Sequence, residues 1–265
     1  MALRINNNVE AFNAHRQLVG TSVKVAKAME RLSSGYRINR AADDAAGLAI
    51  SEKLRSQIRG LAQAQRNSQD AISLVQTAEG SLTEVHAMLQ RIRELAVQYK
   101  NGSLSANDQL AISSEVNQLA SEIERIGTAA AFNGIKLLNA ASTVTFQVGA
   151  QDGEVITVAT VSLGAAVGAI SLAAATVLLS LDSAISSIST TRSTFGAVQN
   201  RLEYTLNNLA AYQENLVASE SRIRDVDMAD EMVNFTKLQI LQQAGTSMLA
   251  QANQAPQSVL SLLRQ

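Results

Sequence analysis

The sequence predicts a mainly α fold, a long antiparallel helical bundle or coiled coil that carries one small β-hairpin. Three observations support this. In residues 176–251 the large apolar side chains recur at gaps of three, four or seven, which is the spacing of a helix that packs along other helices. The single proline, Pro256, lies near the C-terminus. Aromatic residues make up 3% of the chain and tryptophan is absent, a composition typical of long helices.

The apolar series in this stretch has no proline inside it and predicts one continuous rod of roughly 110 Å, at about 1.5 Å per residue. A rod of that length needs partner helices to cover its apolar edge. The series consists of Leu178, Leu181, Ile185, Ile188, Phe195, Leu202, Leu206, Leu209, Leu216 and Ile223.

The N-terminal half predicts a first amphipathic helix from Ile5 to about Leu32, on the same spacing. Gly35 is a frequent kind of helix stop. After a short connector, Asp43 or Asp44 is placed to cap a second helix, because a carboxylate accepts from the free N–H groups of a first turn.

The second helix continues to about Tyr99, and its apolar series keeps the helical spacing throughout. Ser105 and Asp108 form the pattern of a capping box that begins a third helix, expected to end near Gly127. The apolar residues of the second helix are Leu54, Ile58, Leu61, Ile72, Val75, Leu82, Val85, Leu89 and Ile92, and those of the third are Ile112, Val116, Leu119, Ile123 and Ile126.

Residues 143–160 change period, since apolar and polar residues alternate on both sides of Asp152-Gly153. This alternation predicts a β-hairpin. The chain then closes with an apolar helical face before Pro256. None of these helices buries its face alone, so the end of the chain is expected to return along its beginning, with breaks near residues 33–44 and 219–225.

Composition excludes several function classes. Without cysteine there is no disulfide framework, zinc-thiolate site or catalytic thiol. A formal net charge of −1 lacks the basic excess that nucleic-acid binding needs. His15 and His86 stand apart on separate helices, and the acidic residues at 225–231 lack the spacing of a calcium loop, so they are interpreted as a solvated face. We expect no catalytic residue, cofactor or metal site.

The N-terminus lacks the pattern of a secretory signal peptide. The uncharged run between Glu154 and Asp182 is long enough to span a bilayer, but it contains several Ser and Thr residues and lacks aromatic or basic flanks. We therefore interpret it as a strand end, a loop and a helix start, and expect no membrane insertion.

Several motifs, in this order along the chain, resemble those of bacterial flagellin. The N-terminal half contains Glu30-Arg31-Leu32-Ser33-Ser34-Gly35, residues 38–47 (INRAADDAAG) and Phe132-Asn133-Gly134. The C-terminal half contains residues 197–202 (AVQNRL), residues 219–229 (SESRIRDVDMA) and Ser261-Leu262-Leu263-Arg264. Together they cover nearly the whole chain, and the combination is specific.

The resemblance implies a secreted subunit of the extracellular flagellar filament that polymerises with copies of itself and serves motility. It implies an inner, terminal coiled-coil domain at 1–43 and 222–265 and an outer helical bundle domain at 44–221 with the hairpin near 143–160. The variable outer insert of the family is nearly absent here. Partners implied by the family are junction and cap proteins of the flagellum, an export chaperone and the type III export gate.

Residues in two regions are candidates for binding. Apolar side chains of the two terminal segments are expected to mediate polymerisation: Ile5, Val9, Phe12, Val19, Val23, Met228, Met232, Phe235, Leu238 and Leu241. These segments have too little apolar area to order alone, so we expect them to be loosely formed until identical copies surround them. Residues 90–98 (QRIRELAVQ) resemble the flagellin segment that a host Toll-like receptor recognises, which suggests receptor contacts at Gln90, Arg91, Leu95 and Glu115.

Two other functions remain open at this stage. A hook-filament junction protein shares the terminal coiled coils, but it caps a filament and does not extend it. A membrane-tethered coiled-coil signalling protein, with residues 155–181 as its span, also fits the three-four spacing.

Overall fold

The computed structural model describes residues 8–164 and 176–263, together with Leu172 and Ala174; side chains are described as far as Gln254. Its helices are α1 (Val9–Ser34), α2 (Ala45–Tyr99), α3 (Ala106–Ala129), α4 (Val177–Arg224) and α5 (Met228–Leu263). Its strands are β1 (Ala131–Phe132), β2 (Ile135–Lys136), β3 (Thr143–Gln147) and β4 (Val155–Ala159). The predicted class, mainly α with one small hairpin and paired terminal helices, is confirmed.

The chain divides into two compact units. Unit one consists of Met1–Ser56 and Leu216–Gln265, and unit two is Gln57–Asn215. The boundaries lie inside α2 and α4, whereas the sequence placed its domain boundaries at the chain breaks near residues 43 and 222. Each of these two long helices therefore contributes one end to unit one and the rest to unit two.

Unit two has a continuous apolar core made by one face of each of its helices. The spacing that predicted those faces is confirmed for α2, α3 and α4, because many residues of the three series are buried in this core. β4 adds its alternate residues Ile156 and Val158. The buried members from the helices include Leu74, Leu82, Leu89, Ile92, Ile112, Val116, Ile123, Leu181, Ile188, Phe195 and Leu202.

Local capping chemistry fixes the helix ends. Gly35 adopts a left-handed φ of 74° and donates its N–H to Arg31 O, ending α1. The Asp44 carboxylate accepts from Gly47 N at 2.9 Å, so Asp44 is the residue that caps α2. Ser105 and Asp108 make the predicted capping box at α3.

Two antiparallel hairpins join α3 to the following chain. The predicted hairpin pairs β3 with β4, with Thr145 opposite Thr157. The sequence prediction missed the β1–β2 hairpin, although Asn133-Gly134 between these strands is a strong hairpin signal. Both residues have positive φ, 46° and 80°, as a tight two-residue hairpin turn requires.

The predicted single rod at 176–251 is wrong, because the helix is interrupted between Arg224 and Met228. The Asp227 carboxylate accepts from the backbone N–H groups of Ala229 and Asp230, so it caps a new helix where the rod was expected to continue. α5 then passes Pro256 and continues to Leu263.

Part of the uncharged run, residues 165–171, 173 and 175, lies outside the described residues. At its start, Val155–Ala159 forms the strand β4 and not a helix. Among the helices in the described part of the chain, none is long and apolar enough to cross a membrane.

Candidate assembly surface

α1 and α5 pack along each other in unit one. On α1 the less exposed residues recur at alternating gaps of three and four, which is the heptad pattern of a coiled coil. On α5 the less exposed residues follow the same alternation. The α1 positions are Ala11, Ala14, Leu18, Thr21, Val25, Ala28 and Leu32, and the α5 positions are Glu231, Phe235, Leu238, Gln242, Gly245, Leu249 and Ala252.

This heptad contact buries little apolar surface. Its fully buried cluster is Val25, Ala28 and Leu238, with Phe235 partly buried against it. Several positions carry Ala, Gly or Thr, so the two backbones approach closely. At Gly245 an added Cβ would lie 3.2 Å from Leu18 Cδ1. The terminal segments are thus helical and paired where they are described, but few large side chains hold them together. That they are loosely formed until identical copies surround them stays a prediction.

Polar contacts close both ends of the pair. Asn8 donates from Nδ2 to Ala252 O at 2.7 Å, and its Oδ1 accepts from Ala11 N at the start of α1. At the other end, Arg31 Nη1 lies 3.7 Å from Glu231 Oε2. Glu231 is 8% exposed, so it is not part of a solvated acidic face as the sequence suggested.

Most residues expected to mediate polymerisation point away from this contact. Phe12 is 66% exposed and Val23 is 63% exposed. Of the ten residues, Leu238 alone is buried and Phe235 is partly buried. Val9, Val19, Met228, Met232 and Leu241 are exposed, and Ile5 lies outside the described residues. Apart from Phe235 and Leu238, the contact between α1 and α5 is made by residues outside the predicted set, and the other described members of that set are exposed.

α5 has further exposed apolar residues that do not fall on one stripe. Val233 is 71% exposed and Ile240 is 61% exposed. At about 100° per residue, Met232, Ile240 and Met248 point in clearly different directions around the helix. The contact with α1 covers one side of α5, and apolar side chains on its other sides stay exposed.

The two chain breaks meet in a short backbone pairing, which we call the junction. Tyr36 and Asp225 form an antiparallel β-bridge. Arg37 N donates to Arg224 O at 2.7 Å, and Val226 N donates to Gly35 O at 3.0 Å. The polar backbone groups freed by the end of α4 are thereby satisfied by the connector that follows α1.

Arg224 is the central side chain of the junction. Its Nη1 donates to Glu52 Oε1 at 2.6 Å, and its guanidinium lies 5.0 Å from the centre of the Tyr36 ring. One turn away, Arg55 Nη2 donates to Glu220 Oε1 at 3.0 Å. These side chains connect α2 with α4 beside the backbone pairing.

Asp43 holds the connector between α1 and α2 against α1. Its Oδ1 lies 2.6 Å from Lys27 Nζ, and its Oδ2 accepts from the backbone N–H groups of Arg40 and Asn39. The Lys27 ammonium, followed by the Arg40 N–H, lowers the pKa of Asp43 from 3.8 to about 2. The charged form is thus the one that the fold stabilises.

The candidate receptor residues divide into an exposed ridge and a buried support. Arg91 donates from Nε and Nη2 to Glu115 Oε1 at 3.1 and 3.0 Å, across α2 and α3. These hydrogen bonds raise the pKa of the Arg91 guanidinium. Gln90 is exposed and contacts His86 at 3.0 Å. Leu95 is 2% exposed and lies in the core, so it supports the ridge from below and is not itself accessible.

The described residues contain no group of three or more His, Asp or Glu side chains that could hold a metal ion. The acidic residues at 225–231 are used structurally, since Asp227 caps α5 and Glu231 faces Arg31.

Comparison with known proteins gives the family. Residues 5–143 match the model of the bacterial flagellin N-terminal helical region, and residues 178–263 match that of the bacterial flagellin C-terminal helical region. A flagellin of Halalkalibacterium halodurans is 54% identical over 98% of this chain and 99% of its own length. The flagellar filament 33 kDa core protein of Treponema phagedenis is 51% identical over 98% of this chain and 99% of its own.

Among solved structures, the crystal structure of Bacillus cereus flagellin aligns with a TM-score of 0.51 at 34% identity, covering 54% of this chain and 88% of that one. The two family models cover both halves of the chain, and the relatives have nearly its length. A match over both halves is consistent with a fold in which the N- and C-terminal helices pair. The chain therefore belongs to the bacterial flagellin family, the structural protein of the flagellar filament.

Proposed function

We propose that this chain polymerises with identical copies into the flagellar filament outside the cell, and that the filament serves motility. The observation that carries the proposal is the exposed apolar surface of α1 and α5. Burying one large aliphatic side chain contributes roughly 1.5–3 kcal/mol, so several of them per subunit give a strong drive to associate.

The arrangement suits a helical polymer. The exposed apolar residues of α1 and α5 lie on differing sides, so one copy can contact several neighbours at once through dissimilar surfaces. Contacts between dissimilar surfaces do not close into a dimer, and when the rotation does not close they generate an open helical filament. In this proposal residues 1–43 and 222–265 form the inner domain of the filament and residues 44–221 form the outer one.

The test is seeded elongation. Purified chain mixed with filament fragments should extend them, as seen by electron microscopy. A variant with Phe12→Gln and Val23→Gln should fail to extend them, because both positions are exposed in the monomer and become buried in the polymer. Glutamine matches ordinary helix formers in propensity, so α1 should persist in circular dichroism spectra.

The matched control is Arg16→Gln, an exposed polar position on the same helix. It should elongate seeds as the unmodified chain does. Elongation by the Phe12→Gln and Val23→Gln variant at the normal rate would contradict the proposed interface. The seeds also separate a filament subunit from a junction protein, which would bind fragment ends once and stop growth.

We also propose that the free monomer is recognised by a host Toll-like receptor through the ridge formed by Gln90, Arg91 and Glu115. The supporting observation is that Arg91 and Glu115 are about half exposed and hold each other in a fixed orientation across two helices. A preordered charged pair loses little side-chain entropy on binding.

Receptor signalling by purified monomer tests this second proposal. Arg91→Ala should reduce signalling about tenfold or more, since a hydrogen bond to a charged group contributes roughly 1.5–3 kcal/mol. Arg125→Ala is the control, because Arg125 pairs with Glu122 in a similarly exposed position on α3. Undiminished signalling by Arg91→Ala would remove the assignment.

A further inference from the structure

The methionines of this chain are distributed unevenly between its two units. Of the six in the sequence, Met29, Met228, Met232 and Met248 all belong to unit one and are 54%, 47%, 50% and 64% exposed. Met88 lies in unit two, is half-buried and packs against the core. The sixth, Met1, lies outside the described residues.

The exposed methionines sit where the apolar surface of unit one is open. Met228, Met232 and Met248 are on α5, and Met29 is near the end of α1. The chain has no cysteine and no tryptophan, so no thiol or indole competes for a two-electron oxidant. Among the described residues, the four exposed thioethers are therefore the groups most reactive toward a peroxide.

We propose that Met29, Met228, Met232 and Met248 form an oxidation-sensitive modification site that controls assembly, an inference that rests on the proposed polymerisation. A hydroperoxide transfers its outer oxygen to the thioether sulfur, the O–O bond breaks, and a sulfoxide and water (or an alcohol) remain. Sulfur loses two electrons and the peroxide gains them. Each sulfoxide places a polar S–O group on a surface that must be buried in the polymer.

The modification acts on assembly and leaves the monomer folded. None of the four side chains belongs to the buried cluster of the α1–α5 contact, which consists of Val25, Ala28 and Leu238. A sulfoxide at an exposed position remains hydrated in the monomer, whereas burying it without a hydrogen-bond partner is unfavourable. In the polymer the same methionines are covered, so assembled copies resist the oxidant that inactivates free ones.

The test treats the full chain with dilute hydrogen peroxide and follows each methionine by peptide mass spectrometry. In the monomer, sulfoxide should form at least several-fold faster at Met29, Met228, Met232 and Met248 than at Met88. In filaments, sulfoxide formation at these four residues should slow to the rate at Met88 or below. The oxidised monomer should retain its helical circular dichroism. Its critical concentration for seeded growth should rise by about tenfold or more for each oxidised side chain that becomes buried.

Three variants separate oxidation at these positions from other damage, each compared with itself before and after peroxide. The variant with leucine at the four positions should lose no further elongation on treatment, whereas Met88→Leu should lose as large a fraction as the unmodified chain. Replacing the four by glutamine imitates the polar sulfoxide, and this variant should be helical but deficient in elongation without any oxidant.

The outcomes decide between the two proposals. If untreated chain fails to extend seeds, both the proposed polymerisation and the proposed control of assembly by methionine oxidation are refuted. If untreated and fully oxidised chains extend seeds equally well, polymerisation stands and the modification site is refuted. Equal sulfoxide formation at Met88 and at the four exposed positions would also overturn it.

Discussion

Asp43 shows how one side chain links the connector to α1 and makes that link depend on pH. Its pKa is about 2 in the folded chain against 3.8 for the free group, and the main cause is the contact with Lys27. A carboxyl whose pKa is lowered by folding contributes stability above its unfolded pKa and loses it as pH falls toward the folded value. The contribution of Asp43 is thus complete above about pH 4 and is lost toward pH 2.

We expect Asp43→Asn to lower the thermal midpoint of the helical signal at neutral pH. The difference from the unmodified chain should shrink between pH 4 and pH 2, since protonation removes the same charge. The measurement is a series of melting curves followed by circular dichroism.

Asp152→Asn serves as the control, because Asp152 is exposed in the turn between β3 and β4. It should leave the midpoint nearly unchanged. A difference for Asp43→Asn that stays constant down to pH 2 would refute the electrostatic origin.

At the level of elements, α5 presents two kinds of apolar side chain only two residues apart. Leu238 is 8% exposed and packs on Val25 and Ala28 of α1, while Ile240 is 61% exposed. Leu238→Ala should lower the free energy of opening of α1 by about 2 kcal/mol. This value is at the lower end of the range for such truncations, because the cluster is small. Hydrogen exchange of the α1 amides measures this free energy.

Ile240→Ala is the matched comparison. It should change the exchange of α1 amides by less than about 0.5 kcal/mol, as is usual for an exposed position, and yet slow elongation of seeds. Equal effects of the two substitutions on α1 exchange would mean that the assignment of inner and outer faces is incorrect.

The same element shows what the sequence predicted and what it did not. The helical period of α1 and α5 and their pairing were predictable, because apolar residues at three-four spacing require a helical partner. Which face of each helix makes the contact was not predictable. Val9, Phe12, Val19 and Val23 have the conspicuous spacing, while the contacting face is built largely of small residues such as Ala14, Ala28 and Gly245, which carry little hydrophobic signal.

At the level of the whole molecule, unit two contains its own core without any residue from α5. Deleting residues 228–265 should therefore leave unit two with an unchanged cooperative unfolding transition. α1 loses the helix that it packs against and should lose helical content. Seeded elongation should stop, because both the deleted helix and the ordering of α1 are needed for the proposed inner domain.

Electron microscopy and thermal unfolding of the truncated chain provide the measurements. Filaments formed by it would contradict the role assigned to α5. Loss of the cooperative transition would contradict the independence of unit two.

Across the molecule, caps and hairpins were predictable where the signal is local, as with Ser105, Asp108 and Asp152-Gly153. The break at Asp227 was hard to predict, because apolar residues recur at gaps of three and four on both sides of it. Asn133-Gly134 is a local hairpin signal, but its strands are two residues long and have no period of their own to support it. The buried position of Leu95 follows from tertiary packing that a motif match does not contain.

The hydrogen bond from Asn8 to Ala252 joins residues 244 positions apart in the chain, and this separation has a consequence in time. A ribosome that adds about 5–20 residues per second needs roughly ten to forty seconds to go from the end of α1 to the start of α5. During that interval α1 has been synthesised while its partner α5 has not. The time that α1 waits for its intramolecular partner is therefore set by the order of translation.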